Sequence, residues 1–136
     1  MSDEKIKMVI VMRKDLNMRK GKMIAMGCHA SMKVLLDQMR FDYTNQDYVT
    51  RILSINPLSP LNLWLSGLFT KIVVYVNSEA ELFKVYTIAV AKGMHCSLIE
   101  DAGKTEFNGI PTYTCCAIGP DFEDKINEIT GELPLL

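Results

Sequence analysis

The strongest constraint on what this chain can become is a change of period near its start. Lys7-Met-Val-Ile-Val-Met-Arg13 is an unbroken run of β-branched and apolar residues. Such a run predicts a strand buried on both faces. Asp15 to Gly21 carries turn-forming residues. From Lys22 the apolar positions recur at three- and four-residue steps, at Ala25, Cys28, Met32, Leu35 or Leu36, and Met39. That spacing predicts a helix of roughly five turns with this stripe turned to a core. A strand, a short glycine-containing loop and a helix open an α/β unit.

The same reading continues along the chain. Lys71-Ile-Val-Val-Tyr-Val76 is a second strand. Ser78 to Glu81 matches a capping box, in which the serine hydroxyl and the glutamate carboxylate satisfy each other's backbone donors. The helix that follows presents Leu82, Val85 or Tyr86, and Ala89, and Gly93 closes it. Cys96 to Glu100 and Thr112 to Ile118 are further strands, the latter ended by Gly119 and Pro120. Asp121 is placed to cap a last helix holding Ile126 and Ile129, stopped by Gly131. Arg40 to Asn56 is polar and expected to be partly helical. Pro57 and Pro60 break any helix there, and Leu61 to Phe69 suits a short helix anchored by Trp64. Consecutive β-α-β units favour parallel strands. The last two strands lack an intervening helix and are expected to be antiparallel or non-adjacent. The expected fold is α/β, a three-layer α/β/α single domain over residues 1–136 with a mixed four-stranded β-sheet.

Composition sets limits on function. A chain of 136 residues, 49% apolar and 23% charged, suits one globular core. The net charge of -1 gives no bulk attraction to nucleic acid, so only a local basic patch could provide one. Met1 to Lys7 runs straight into a strand with no secretory leader. No apolar run approaches the roughly 18 residues of a membrane span. A cytoplasmic protein without membrane contact is expected. The four cysteines form no C-x-x-C pair, and with only His29 and His95 beside them a zinc site is not expected. Cys96, Cys115 and Cys116 lie in strand-like runs and suit buried thiols. Cys28 falls on the apolar stripe, which favours burial over thiol chemistry.

Two loops stand where such sheets gather ligands, at the carboxyl ends of strands. The first holds Arg13, Lys14, Arg19, Lys20 and Lys22, three of them at the start of a helix. Cations oppose the positive end of a helix dipole. The arrangement suits a phosphate or carboxylate, or else a solvated basic loop. Lys22, Met26 and His29 share one helix face, and His29 could move a proton near neutral pH or serve a structural hydrogen bond. The second loop holds Asp101, Gly103 and Thr105, with Thr112 and Thr114 beyond it. These residues suit a catalytic edge or ordinary turn chemistry.

Joined together, these segments resemble second-type peptidyl-tRNA hydrolases. The opening strand with Arg13-Lys-Asp-Leu16, Met18-Arg-Lys-Gly-Lys22 and Cys28-His-Ala30 is similar to the family's first signature. Asp101-Ala-Gly-Lys-Thr105, Thr114-Cys-Cys-Ala-Ile-Gly-Pro120 and the ending Ile129-Thr-Gly-Glu-Leu-Pro-Leu-Leu136 resemble its later blocks. Only Arg40 to Phe69 lies outside the resemblance. It implies hydrolysis of the ester between a peptide and the 3′ ribose of tRNA. It also implies a mixed four-stranded sheet, a homodimer, and no cofactor or metal. The family's catalytic lysine, histidine, aspartate and two threonines fall on Lys22, His29, Asp101, Thr105 and Thr114. Thr112 rivals Thr114, because the preceding loop is a residue longer than is common in the family. Arg13, Lys14, Arg19 and Lys20 are the expected phosphate contacts. Met26 stands where the family has glutamine, and a thioether cannot hydrogen-bond as an amide does. A non-catalytic tRNA- or protein-binding relative is therefore the alternative. Which group acts as base is open.

Overall fold

A computed structural model gives the fold and describes residues 5–136. The first strand, β1 (Ile6–Arg13), leads through a loop into α1 (Lys20–Leu36). A hairpin, β2 (Arg40–Asp42) and β3 (Thr50–Ile52), and a short helix α2 (Pro60–Leu65) follow. Then come β4 (Lys71–Val76), α3 (Glu79–Ala91), β5 (Cys96–Asp101), β6 (Thr112–Phe122) and α4 (Glu123–Thr130). The main sheet has the order β4-β1-β6-β5. β1 and β4 are parallel, as expected of strands joined through a helix, with Ile10 opposite Val73. β6 runs antiparallel to β1 and to β5. The carboxyl ends of β1, β4 and β5 therefore share one edge with the amino end of β6. The mixed four-stranded sheet and the helices on both its faces agree with the sequence reading.

Alternation along β1 builds the two halves of the core. Met8, Ile10 and Met12 face α1 and α2, among Met26, Ala30, Val34 and Trp64. Val9 and Val11 face the other way, among Leu82, Val85, Ala89 and Ile126. Trp64 is fully buried, and its Nε1 donates to the Thr70 carbonyl at 2.8 Å, which resolves the polar end of the ring. Ser78 Oγ accepts from the Glu81 N–H at 3.1 Å, while the Glu81 carboxylate reaches one residue further back, to the Asn77 N–H. Buried Ser97 donates to the Ala30 carbonyl at 2.7 Å and ties α1 down on β5.

Several expectations need correction. The segment from Arg40 to Asn56 is no helix: it forms the β2–β3 hairpin, a separate two-stranded sheet. Its β-branched and aromatic residues favour a pleated surface. Asp42 and Asn45 side chains accept the N–H two residues on, closing turns that compete with a helix. The apolar stripe of α1 is also rotated from the expected one. Met26, Ala30 and Val34 are buried, while Ala25, Cys28 and Met32 are exposed. Both faces of α1 carry apolar residues at helical spacing, so periodicity alone could not choose between them. Cys28 is accordingly exposed, not buried. Cys115 and Cys116 are buried. Burial pushes the Cys115 thiol up to about 12 and holds Cys116 well above its ordinary value, so both stay protonated. Cys96 is half-buried. The last helix is not capped through a side chain at its N-cap, Phe122; Asp121 accepts the Phe122 N–H instead. No helix among the described residues is long and apolar enough to cross a membrane. The absence of a leader, read from Met1 onward, lies partly outside the described residues.

Candidate functional site

The shared strand edge brings the two loops together. Lys22 sits in the first turn of α1, and its Nζ donates to Asp101 Oδ1 at 2.9 Å and to Thr105 Oγ1 at 2.7 Å. Seventy-nine residues of chain separate Lys22 from Asp101. Both side chains are largely withdrawn from water, 13% and 14% exposed. The other Asp101 oxygen accepts the Gly103 N–H at 2.9 Å. Gly103 has φ +81°, and an added Cβ would stand 2.2 Å from the Ile110 carbonyl oxygen, so the loop closes this tightly only on glycine. The Asp101 carboxyl is held below its usual range, first by the Lys22 hydrogen bond. Partial burial opposes that effect, and the Gly103 N–H and the charges of Lys22 and His29 add to it. An ammonium has three donors. Two are engaged here, which leaves one for the cleft.

A β-bulge re-aims the opposite strand. In the β5–β6 ladder Ile99 pairs with Cys115, but Glu100 pairs with Tyr113, so Thr114 is the extra residue on β6. Bulges of this kind turn the side chains beyond them to the other face. Tyr113 accordingly meets Phe83 on the α3 side, with ring centroids 5.0 Å apart. Thr112 comes directly opposite Asp101, and cross-strand partners share a face. Thr112 is half-buried and donates to the Ile110 carbonyl at 2.8 Å.

The remaining expected residues divide. Thr105 joins Lys22 and Asp101. His29 is exposed two turns further along α1. Thr114 is 0% exposed, with only the Cys115 sulfur within reach of its hydroxyl at 3.8 Å, so it offers substrate no surface. Met26 is 3% exposed within the core, and its carbonyl accepts from the Cys115 thiol. Its side chain packs in the cluster around Ile10, Met12 and Ala30. Arg13 is spent on structure: it forks onto Asp15 at 2.7 Å and donates to the Tyr113 carbonyl. Lys14 lies over the Tyr75 ring at 4.4 Å. The Arg19 side chain is 91% exposed at the start of α1, and exposed Lys20 borders an apolar groove beside that helix. Sequence reasoning missed Phe107, whose ring lies 5.8 Å from Lys22 Nζ, and Glu106, which meets the start of α1. The signal for Glu106 was present: a helix opening on cations alone needs an acid from elsewhere. Among the described residues no group of three or more His, Cys, Asp or Glu side chains converges as a metal site.

This arrangement combines a fixed carboxylate, a cation with a free donor, and hydroxyls at the mouth of a basic loop. It is suited to orienting water and stabilising an oxyanion. The family model for "Peptidyl-tRNA hydrolase PTH2" matches residues 6–136. A peptidyl-tRNA hydrolase of Methanocaldococcus jannaschii is 43% identical over 131 residues, 96% of this chain and 100% of the relative. Those of Methanothermobacter thermautotrophicus and Sulfolobus acidocaldarius are 38% and 35% identical, each over 96% of this chain and 100% of their own length. With the match running from the first strand to the last residue, this chain belongs to the PTH2 family of peptidyl-tRNA hydrolases.

Proposed function

We propose that this chain hydrolyses the ester joining a peptide, or an N-blocked amino acid, to the 3′ ribose of tRNA, and that it does so in the cytoplasm. The observation that carries the reading is the contact of Lys22 with Asp101 and Thr105 at the strand edge. An ester needs a positioned water and a stabilised oxyanion. Asp101 is held ionised and so is a weak base; its part is to orient the attacking water, receive its proton as the ester carbonyl becomes tetrahedral, and return it to the 3′ ribose oxygen as the acyl–oxygen bond breaks. The remaining Lys22 donor faces the developing oxyanion. Thr105 Oγ1 accepts from Lys22, which leaves its own proton to donate into the cleft. Thr112, opposite Asp101, is the second hydroxyl in this reading, ahead of buried Thr114. His29, further along the same helix, is assigned to the ribose or to the network around it. The relatives that share nearly the full length of this chain are named as hydrolases, which supports hydrolysis over a non-catalytic relative. Release of free N-acetyl-amino acid from N-acetyl-aminoacyl-tRNA by the purified protein tests the proposal. Binding without release contradicts it.

Arg19 and Lys20 are assigned to the tRNA phosphates, with Lys14 beside them and Arg13 bracing the loop from behind. Affinity for deacylated tRNA should fall as salt rises. Replacing both Arg19 and Lys20 by Ala should lower the slope of log affinity against log salt by about 1 to 2. Titrations at several salt concentrations read this directly, and an unchanged slope removes the patch from the interface.

The protein is further proposed to act as a homodimer. Beside α1 lies an open apolar groove of about 900 Å³, lined by Ile24, Gly27, Met32, Phe69, Val73 and others. Ile24 and Met32 are 68% and 53% exposed. Gly27 and Ser31 lie between them along the helix, so one face carries both projections and hollows. A two-fold axis sets the same patch against itself, which would seat the projections of each copy in the hollows of the other. Ile24→Glu together with Met32→Glu should convert a dimer to a monomer in light scattering. An unchanged mass would exclude this face.

A further inference from the structure

The helix that carries Lys22 begins without a cap of its own. The Arg19 side chain makes no capping bond, and the first turn contains no acid. A helix N-terminus has free N–H groups and roughly half a positive charge. Arg19, Lys20 and Lys22 add three cations to it. An anion is needed there, and it comes from the β5–β6 loop. Glu106 Oε2 accepts the Arg19 N–H at 3.4 Å, and Glu106 Oε1 lies 3.8 Å from Arg19 Nε. The Glu106 side chain is only 19% exposed, while that of Arg19 is 91% exposed. An ion pair to so exposed a guanidinium adds little. What matters is the carboxylate held against the helix start.

The neighbours of Glu106 give this contact a role. Thr105 accepts from the Lys22 ammonium, and the Phe107 ring lies beneath it. Three consecutive loop residues thus grip one helical turn, two at the ammonium and one at the backbone. The loop itself is closed by Gly109 N–H to the Gly103 carbonyl at 2.8 Å and by Ile110 N–H to the Phe107 carbonyl at 2.9 Å. We propose that Glu106 is a positioning residue: by capping α1 from the β5–β6 loop, it holds the Lys22 ammonium against Asp101 and Thr105. The proposal rests on the hydrolytic reading of the cleft. Glu106 touches no reacting atom and acts only through Lys22.

The test compares Glu106→Ala and Glu106→Gln, each in the native chain and in a Lys22→Met background. The first readout is the single-turnover rate constant on N-acetyl-aminoacyl-tRNA at saturating enzyme, which does not depend on the folded fraction. Glu106→Ala should slow it roughly tenfold, as expected when a catalytic group is slightly misplaced. Glu106→Gln, whose amide oxygen can still accept the Arg19 N–H, should recover part of the loss. Affinity for deacylated tRNA should hold or rise, because a negative charge has left a surface that meets a polyanion. In the Lys22→Met background Glu106→Ala should add nothing. The second readout is the Asp101 carboxyl titration followed by carbon NMR, which should move up toward the ordinary value in Glu106→Ala. A native rate with an unmoved titration overturns the proposal, as does an equal rate loss without Lys22. Should the native protein release no product at all, the hydrolytic reading fails while the titration still decides the part played by Glu106.

Discussion

Asp101→Asn should lower the rate constant for hydrolysis of N-acetyl-aminoacyl-tRNA by about 10²- to 10⁴-fold, the usual range for loss of a positioned acid–base group. The substitution keeps the size of the side chain, but its single amide oxygen can accept only one of the two bonds that Asp101 takes on separate oxygens, from Lys22 and from the Gly103 N–H. The hydrophobic core is untouched, so the fold should survive, and the loss should fall on the rate constant and not on tRNA affinity. The pH dependence follows from the same contacts. The Asp101 carboxyl is held below its usual range, chiefly by Lys22. A carboxyl depressed in the folded state contributes stability that is complete above its unfolded value, about 3.9. That contribution is lost as pH falls through the lower folded value. Asp101 should consequently impose no acid limb on the native rate above about pH 4. A limb seen above that pH belongs to another group, and it should persist in Asp101→Asn.

Lys22→Met should cost about 10²- to 10³-fold in the same rate constant, the range for removal of one oxyanion donor. Methionine keeps the length and much of the apolar stem against Phe107 but supplies no donor. The Asp101 carboxylate, 14% exposed, would lose its cation and keep only the Gly103 N–H. Its carboxyl should then titrate closer to the ordinary value. Binding of deacylated tRNA should change little, because the cations assigned to phosphate are Arg19 and Lys20. A large loss of affinity with an unchanged rate constant would instead make Lys22 a phosphate contact.

How far these features could be read from sequence depended on the kind of signal each one leaves. Strands β1 and β4 were plain because parallel strands covered on both faces leave unbroken apolar runs. The start of α3 was plain because Ser78 and Glu81 cap locally. Lys22, Asp101 and Thr105 came from the resemblance, since nothing local distinguishes a catalytic aspartate from one that closes a turn, and Asp101 does close a turn through Gly103. The buried face of α1 was misread because both faces are apolar. The choice rests on partners distant in the chain: Ser97, which holds the Ala30 carbonyl, and Asp101, which holds Lys22. The hairpin at Arg40 to Ile52 was misread because its strands are three residues each, too short for an alternating pattern to emerge. The bulge at Thr114 left no sequence signal beyond a slightly long loop. Yet the bulge sets which threonine stands opposite Asp101.

Lys22 and Asp101 are held to act as one unit, and a double-mutant cycle on ester hydrolysis tests this most directly. With single-turnover rate constants for the native chain, Lys22→Met, Asp101→Asn and the double variant, the double variant should be no slower than the slower single variant, as when groups share one catalytic task. Losses that multiply, or single variants that turn over at the native rate, would contradict a shared centre at this edge of the sheet.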